Sequence, residues 1–267
     1  MAFTEKELRQ MVKDAGVRML EENLVQGTWG NISIRLDEKH ALVTPSGLDY
    51  VVMTPDALPV VDIETLEWTG PRKPTSERKI HAAILRARPE INVVLHSHPT
   101  WGATFASTHL SLPAFNDKMK KYLLGDVRCA KYGLAGTKKL TKNTVAAMEG
   151  RNACFLANHG VFVCGKTLED AFEACRALEE GCKTYIEQKT VEKAKADKYT
   201  TELSLELFKK TYKEIFDTAE SRGNSAAFLF SFVIKFVCDL SAYCPLPISL
   251  NLFSSAASSS FDLVDFR

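Results

Sequence analysis

The sequence predicts a single α/β domain over residues 1–220, with a sheet built partly of hairpins and helices flanking it. Three observations predict it. Apolar residues recur at helical spacing after capping signals at Thr4, at Pro74–Ser76 and at Thr167. Alternating or fully apolar runs of strand length lie between those segments. No internal repeat interrupts the pattern. The composition agrees: 267 residues, 45% hydrophobic and 25% charged, are enough to bury a sizeable core.

The elements follow in order. "TEKE" (Thr4–Glu7) has the form of a capping box, and Leu8, Met11, Val12, Ala15 and Met19 continue it as a helix to about Leu24. "QGTWGN" breaks that helix with two glycines. "ISIRL" and "ALVT" then alternate around the polar "DEKH", a hairpin signal, and "LPVVDI" reads as a further strand. A second helix starts at Pro74 with Thr75 or Ser76, carries Ile80, Ala83, Ile84 and Ala87 inward, and stops at Pro89. The strand "INVVLHSH" comes next and ends at Pro99. "TWGATFAS" has the length of a short helix, and a lysine-rich polar stretch follows through Lys118–Lys121. "ACFLANHGVFVCG" reads as two apolar strands broken at Asn158-His159-Gly160. "TLED" caps a long helix whose inner face is Leu168, Ala171, Phe172, Cys175, Leu178, Cys182 and Tyr185.

Charge and cysteine usage narrow the function. Lysine and arginine number 34 against 33 acidic residues, so no overall field draws nucleic acid or an anionic membrane surface. Seven cysteines form no C-x-x-C pair, and the N-terminus lacks the apolar segment of a signal peptide. Reduced thiols in a cytoplasmic protein are the expectation. Residues 221–267 depart from the rest, with seven of the fifteen phenylalanines, ten serines and only six charged residues. Their most apolar run, "AAFLFSFVIKFVC", is shorter than the roughly 20 residues of a membrane span and contains Lys235. This stretch reads as a C-terminal extension without assignable chemistry.

The candidate chemistry lies in "VVLHSHPT". Side chains two apart on a strand share a face, so His96 and His98 point the same way from a strand end and can converge on one ion. Two histidines ending a strand in water is the alternative. His159, before Gly160 at another strand end, offers a third imidazole, although a histidine before glycine also suits an ordinary loop. Three imidazoles with one position open describe a catalytic divalent site, most naturally zinc. Glu77, in the first turn of the second helix, is either a companion to the helix dipole or a general base beside the metal.

"QGTWGNISIR", "VTPSG", "PTSERKIH", "VVLHSHP" and "FLANHG", in that order and at these separations, resemble the class II aldolase/adducin family over about residues 6–215. The resemblance implies a three-layer fold with a central, mostly antiparallel sheet, assembled as a homotetramer with active sites at subunit boundaries. It also implies Zn²⁺ on His96, His98 and His159, with Glu77 as acid/base and as an extra ligand in the empty enzyme. The implied substrate is a sugar phosphate, and the implied reaction is aldol cleavage of a ketose 1-phosphate, such as L-fuculose 1-phosphate, to dihydroxyacetone phosphate and an aldehyde. A cation chelating the ketone and its neighbouring hydroxyl then stabilises the enediolate. Matched residue by residue, the phosphate donors are Thr28, Asn31, Ser46, Gly47, Thr75 and Ser76, the last two at a helix N-terminus.

The family also holds epimerases, dehydratases, decarboxylases and noncatalytic adducin modules, so fold does not fix reaction. Glu77 matches the aldolase pattern, the epimerases carrying Asp there. In "LPAFNDKMKKY" the aldolases offer a tyrosine to the neighbouring subunit's site, and Asp117 stands in its place, closer to the epimerase pattern. "ELFKKTYKE" resembles the segment that brings a second tyrosine into the aldolase site, which implies Tyr212 as a proton donor. An adducin-like module would show replaced ligands, and His96, His98, His159 and Glu77 are all present.

Overall fold

The computed structural model describes residues 3–196. Met1–Lys193 form one compact unit, and Ala194–Arg267 are grouped as a second, of which only the end of one helix is described. Tyr212, the expected boundary at residue 220 and the stretch 221–267 lie outside the described residues.

Among the described residues six α-helices run in chain order: α1 (Glu5–Glu21), α2 (Arg78–Ala87), α3 (Thr100–Ala106), α4 (Asp117–Leu123), α5 (Lys138–Ala147) and α6 (Leu168–Ala196). Eight strands separate them: β1 (Asn31–Arg35), β2 (His40–Val43), β3 (Val60–Asp62), β4 (Trp68–Thr69), β5 (Val93–Ser97), β6 (Arg128–Ala130), β7 (Ala153–Leu156) and β8 (Gly160–Gly165). They form one sheet in the order β4-β3-β2-β1-β5-β8-β7-β6. Every neighbouring pair is antiparallel except β6 and β7.

Strand alternation sorts the core onto two faces. On one face Ile32, Ile34, Leu95, Val161 and Val163 pack against Val12 and Met19 of α1, Phe105 of α3 and Phe172 and Leu178 of α6. On the other, Val43, Val94, Cys154 and Phe162 meet Ile80 and Ile84 of α2 and Leu140 of α5. The molecule is therefore three layers, helices on both sides of a mostly antiparallel sheet. Among the described residues no helix is long and apolar enough to cross a membrane.

The helix ends set up the site. Thr4 accepts from the Glu7 N–H at 3.3 Å while Glu7 accepts from the Thr4 N–H at 2.7 Å, closing the capping box. Helix α1 stops at Glu21 rather than Leu24, because Asn23 adopts a left-handed conformation with φ 55°. The Leu24 and Asn23 N–H groups then donate back to Met19 and Leu20 at 2.9 and 3.0 Å, a Schellman closure. This leaves the Leu24 carbonyl to accept from the His98 N–H at 3.0 Å, tying the helix end to the histidine strand.

Helix α2 begins at Arg78, later than the sequence predicts. Pro74 pairs with Pro45 in an isolated bridge, and the Thr75 N–H donates to the Thr44 carbonyl at 3.0 Å, which holds this segment extended. Glu77 consequently occupies the cap position (φ −91°, ψ 6°) instead of the first turn, and its side chain makes no capping bond. Three elements, α4, β6 and α5, lie within residues 117–147, where the sequence reading names only the lysine-rich stretch through Lys118–Lys121, and β4 adds a two-residue edge.

Candidate metal centre

His96 is the penultimate residue of β5 and His98 lies just past the strand's end, on the same face as expected. His159 comes from the turn between β7 and β8, and β8 pairs directly with β5. The three residues offer ligand nitrogens that all lie within 4.8 Å of one another. The Nε2 atoms of His96 and His98 are 2.9 Å apart, and the ring centroids of the three histidines are separated by 4.7 to 5.0 Å. The sequence left His159 open between a loop role and a site role; folding brings it to the pair.

The turn that delivers His159 differs in detail from the sequence reading. Asn158, not Gly160, supplies the left-handed turn residue, with φ 59°. Gly160 serves close approach instead: a Cβ there would lie 2.7 Å from the Ser97 carbonyl oxygen and 3.2 Å from the His98 ring. Gly160→Ala is expected to cost about 1–3 kcal/mol, the usual range for overpacking against backbone that cannot yield. Urea unfolding measures it, and a loss below about 0.5 kcal/mol would contradict the packing described.

Each imidazole has a defined electrical state where burial decides it. His96 is 1% exposed, and its Nδ1 lies 2.9 Å from the Val161 carbonyl, which can only accept. Nδ1 therefore carries the proton and Nε2 presents its lone pair to the cluster. Burial, followed by the neighbouring His98 and His159, holds His96 well below the ordinary histidine pKa, and burial does the same more weakly for His98. Neutral imidazoles are what a cation requires.

Glu77 faces this group. Its Oε2 lies 3.2 Å from His96 Nε2 and its Oε1 4.0 Å from His159 Nε2. The carboxylate is buried, and Oε1 has no hydrogen-bond partner. A buried carboxylate oxygen is costly without a partner. A cation between the imidazoles and Oε1 would satisfy it, so the donor set fits a divalent metal held by His96, His98 and His159 with Glu77 at its edge.

Behind Glu77 runs a buried chain that the sequence did not single out. Asn31 Nδ2 donates to Glu77 Oε2 at 2.8 Å, Asn31 Oδ1 meets His81 Nε2, and His81 Nδ1 lies 2.7 Å from Ser33 Oγ. Asn31 and Ser33 are two apart on β1 and share a face, and β1 pairs Asn31 with His96 on β5. The available signal was His81 four residues after Glu77, a spacing of about one helical turn. Burial pushes the His81 pKa down from 6.5 to about 3. The unfolded chain thus holds the extra proton through that interval, so stability is full above pH 6.5 and falls as pH drops toward 3. The slope for this one group reaches about 1.4 kcal/mol per pH unit. Urea unfolding of metal-free wild type and H81Q across the acid range should show the steeper loss in wild type. Parallel profiles would refute a buried neutral His81.

The remaining expected residues fall as follows. Thr44 donates its N–H to Ile32 at 2.9 Å and accepts from the Ile32 N–H through its hydroxyl at 3.1 Å, and the Ser46 N–H donates to Lys73 at 2.9 Å. These bonds tie the segments carrying Asn31, Ser46, Gly47, Thr75 and Ser76 together at the His96 end of the sheet. Gly47 has φ 67° with open space around it, a conformation only glycine adopts freely. Thr28 is half-buried in the turn before β1, and no hydrogen bond among the described residues joins it to that group. Asp117 is not brought to the three histidines: it starts α4, fully exposed, 3.6 Å from Lys120.

A three-layer α/β protein with a three-histidine, one-carboxylate cluster able to hold a divalent metal is the class that fold and site define. The chain belongs to the family of class II aldolase and adducin N-terminal domains, whose pattern matches residues 10–186. It is 37% identical to the 5-methylthioribulose-1-phosphate/5-deoxyribulose-1-phosphate aldolase of Rhodospirillum rubrum over 178 residues, 67% of this chain and 80% of that one. It is 28% identical to the L-fuculose phosphate aldolase of Escherichia coli strain K12, covering 67% and 82%. Among solved structures, an L-fuculose 1-phosphate aldolase superposes with TM-score 0.66 at 33% identity, over 72% of this chain and 89% of that one.

Proposed function

We propose that this chain is a zinc-dependent aldolase that splits a ketose 1-phosphate into dihydroxyacetone phosphate and an aldehyde. One observation carries the reading: three imidazole nitrogens share one locus with a buried carboxylate oxygen that has no partner of its own. Nitrogen donors with a position left open suit zinc. A divalent cation there supplies positive charge where negative charge develops as the carbon–carbon bond breaks.

The chain's residues divide the remaining work. Glu77 delivers and removes the proton on the carbon left by cleavage, through Oε1, the oxygen without a hydrogen bond. Thr28, Asn31, Ser46, Gly47, Thr75 and Ser76 receive the phosphate with hydroxyls, an amide and backbone N–H groups. Tyr212 serves the aldehyde end as proton donor, and Asp117 reaches the neighbouring subunit's site in a homotetramer. The setting is cytoplasmic, with a small sugar phosphate as partner and no nucleic acid. The 37% identity to an enzyme named for 5-deoxyribulose and 5-methylthioribulose 1-phosphates, against 28% and 33% for two L-fuculose phosphate enzymes, favours a five-carbon ketose with a 5-deoxy or 5-thioether end.

The test is a panel of zinc-loaded protein with 5-deoxyribulose, 5-methylthioribulose and L-fuculose 1-phosphates. Dihydroxyacetone phosphate is read by a coupled reductase and products by NMR. Its release is expected, fastest from the five-carbon substrates. No release from any of them, beside an active control aldolase, rejects the reading. An epimerised or dehydrated product instead supports the second reading that Asp117 motivates.

A further inference from the structure

Ser33, His81, Asn31 and Glu77 form one buried line behind the metal locus, and its polarity can be read atom by atom. Glu77 Oε2 is an acceptor, so the Asn31 group beside it, 2.8 Å away, is the NH₂. Asn31 Oδ1 then faces His81 Nε2, which must carry the ring proton and donate. His81 Nδ1 is left bare and accepts from the Ser33 hydroxyl at 2.7 Å. Every member is buried, with Ser33 0% and His81 1% exposed, so no water is at hand to repair a reversed bond.

An asparagine amide is nearly symmetric in shape, and nothing about Asn31 alone stops it turning over. Turned over, its carbonyl would face the carboxylate, and the hydrogen bond to Glu77 would be lost. His81, with its ring edge against Phe162 at 5.3 Å, is the group that forbids this, because its Nε2–H requires a carbonyl opposite. The bland alternative is a core histidine that merely satisfies itself. An imidazole in the apolar layer between α2 and the sheet costs more than leucine there unless its hydrogen bonds are needed.

We propose that His81 is a positioning residue: by fixing the Asn31 amide it commits Glu77 Oε2 to a standing hydrogen bond and leaves Oε1 as the oxygen that exchanges the proton. The proposal rests on the proposed function for the identity of the proton's destination, but the amide orientation stands apart from it. His81 touches neither metal nor substrate, and its action passes through Asn31. The arrangement also keeps the second Asn31 N–H free for a ligand.

The test uses the full-length protein. Nitrogen-15 spectra of labelled histidine report the His81 tautomer, with Nε2–H expected. On the substrate turned over by wild type, H81L is expected to lose kcat by about 10- to 100-fold, as supporting contacts of a metal site typically do. KM and zinc content should stay within about threefold, and H81Q, which keeps a donor at the Nε2 position, should recover to within about fivefold of wild type. An Nδ1–H tautomer overturns the proposal, as does an H81L kcat within threefold of wild type, a loss confined to KM, or an H81Q that folds and is as poor as H81L. Should H81L fail to fold, S33A carries the test: mixed tautomers and a kcat at least threefold lower support it, and no change in either refutes it. If wild type itself cleaves none of the sugar phosphates, the proposed function has failed and the nitrogen spectrum alone decides the orientation.

Discussion

Glu77→Gln is expected to lower kcat by about 10²- to 10⁴-fold, the range for loss of a positioned acid/base group. Glutamine keeps the size of the side chain and can still accept from Asn31 Nδ2, now 2.8 Å from Oε2. What it loses is the capacity of the Oε1 position to take and release a proton. Zinc content should stay close to wild type, since three imidazoles remain, so the variant separates proton transfer from metal holding. Steady-state turnover of the preferred ketose phosphate, with metal analysis on the same sample, measures both. A kcat within tenfold of wild type would remove Glu77 from the chemistry.

His159→Ala should reduce metal affinity by more than about 100-fold, beyond the loss typical of a merely supporting contact, and turnover by about 10³-fold or more. The reason lies in the topology. His96 and His98 are two apart in one segment, whereas His159 alone reaches the locus from the β7–β8 turn. Without it the pair is open on that side, and Glu77 Oε1 loses the imidazole nitrogen 4.0 Å away. Stability should change little, because His159 is half-exposed. Zinc content after dialysis against a weak chelator checks the prediction, and full retention of zinc would show that His159 is no ligand.

Much of this arrangement was legible in the sequence because its signals are local. A capping box at Thr4, a period-two HSH at a strand end and long apolar faces on α1, α2 and α6 each announce themselves within a few residues. The segment 117–147 did not, for physical reasons. Helix α5 buries Leu140 and Ala147 beside Thr144, whose hydroxyl is absorbed by the Leu140 carbonyl at 2.8 Å, so its inner face reads as polar. Strand β6 is three residues long and gains its place by parallel pairing with β7. Glu77 reads as an early-helix residue, and only the bridge between Pro45 and Pro74 reveals why the helix starts later. The motif resemblance singled out the three histidines and the glutamate that the fold brings together. It did not single out Ser33 and His81, which matter through a strand face and a helix face meeting in space.

Phe162 stands between the two buried histidines, edge-on to His81 at 5.3 Å and nearly parallel to His96 at 4.5 Å with 21° between planes. A benzene ring in that attitude shields nuclei above its face and deshields those at its rim. The His96 ring protons should therefore resonate upfield of those of His98 and His159. The protein thus carries an internal magnetic label, by which titration with a diamagnetic cation can be followed at one chosen imidazole without any introduced probe.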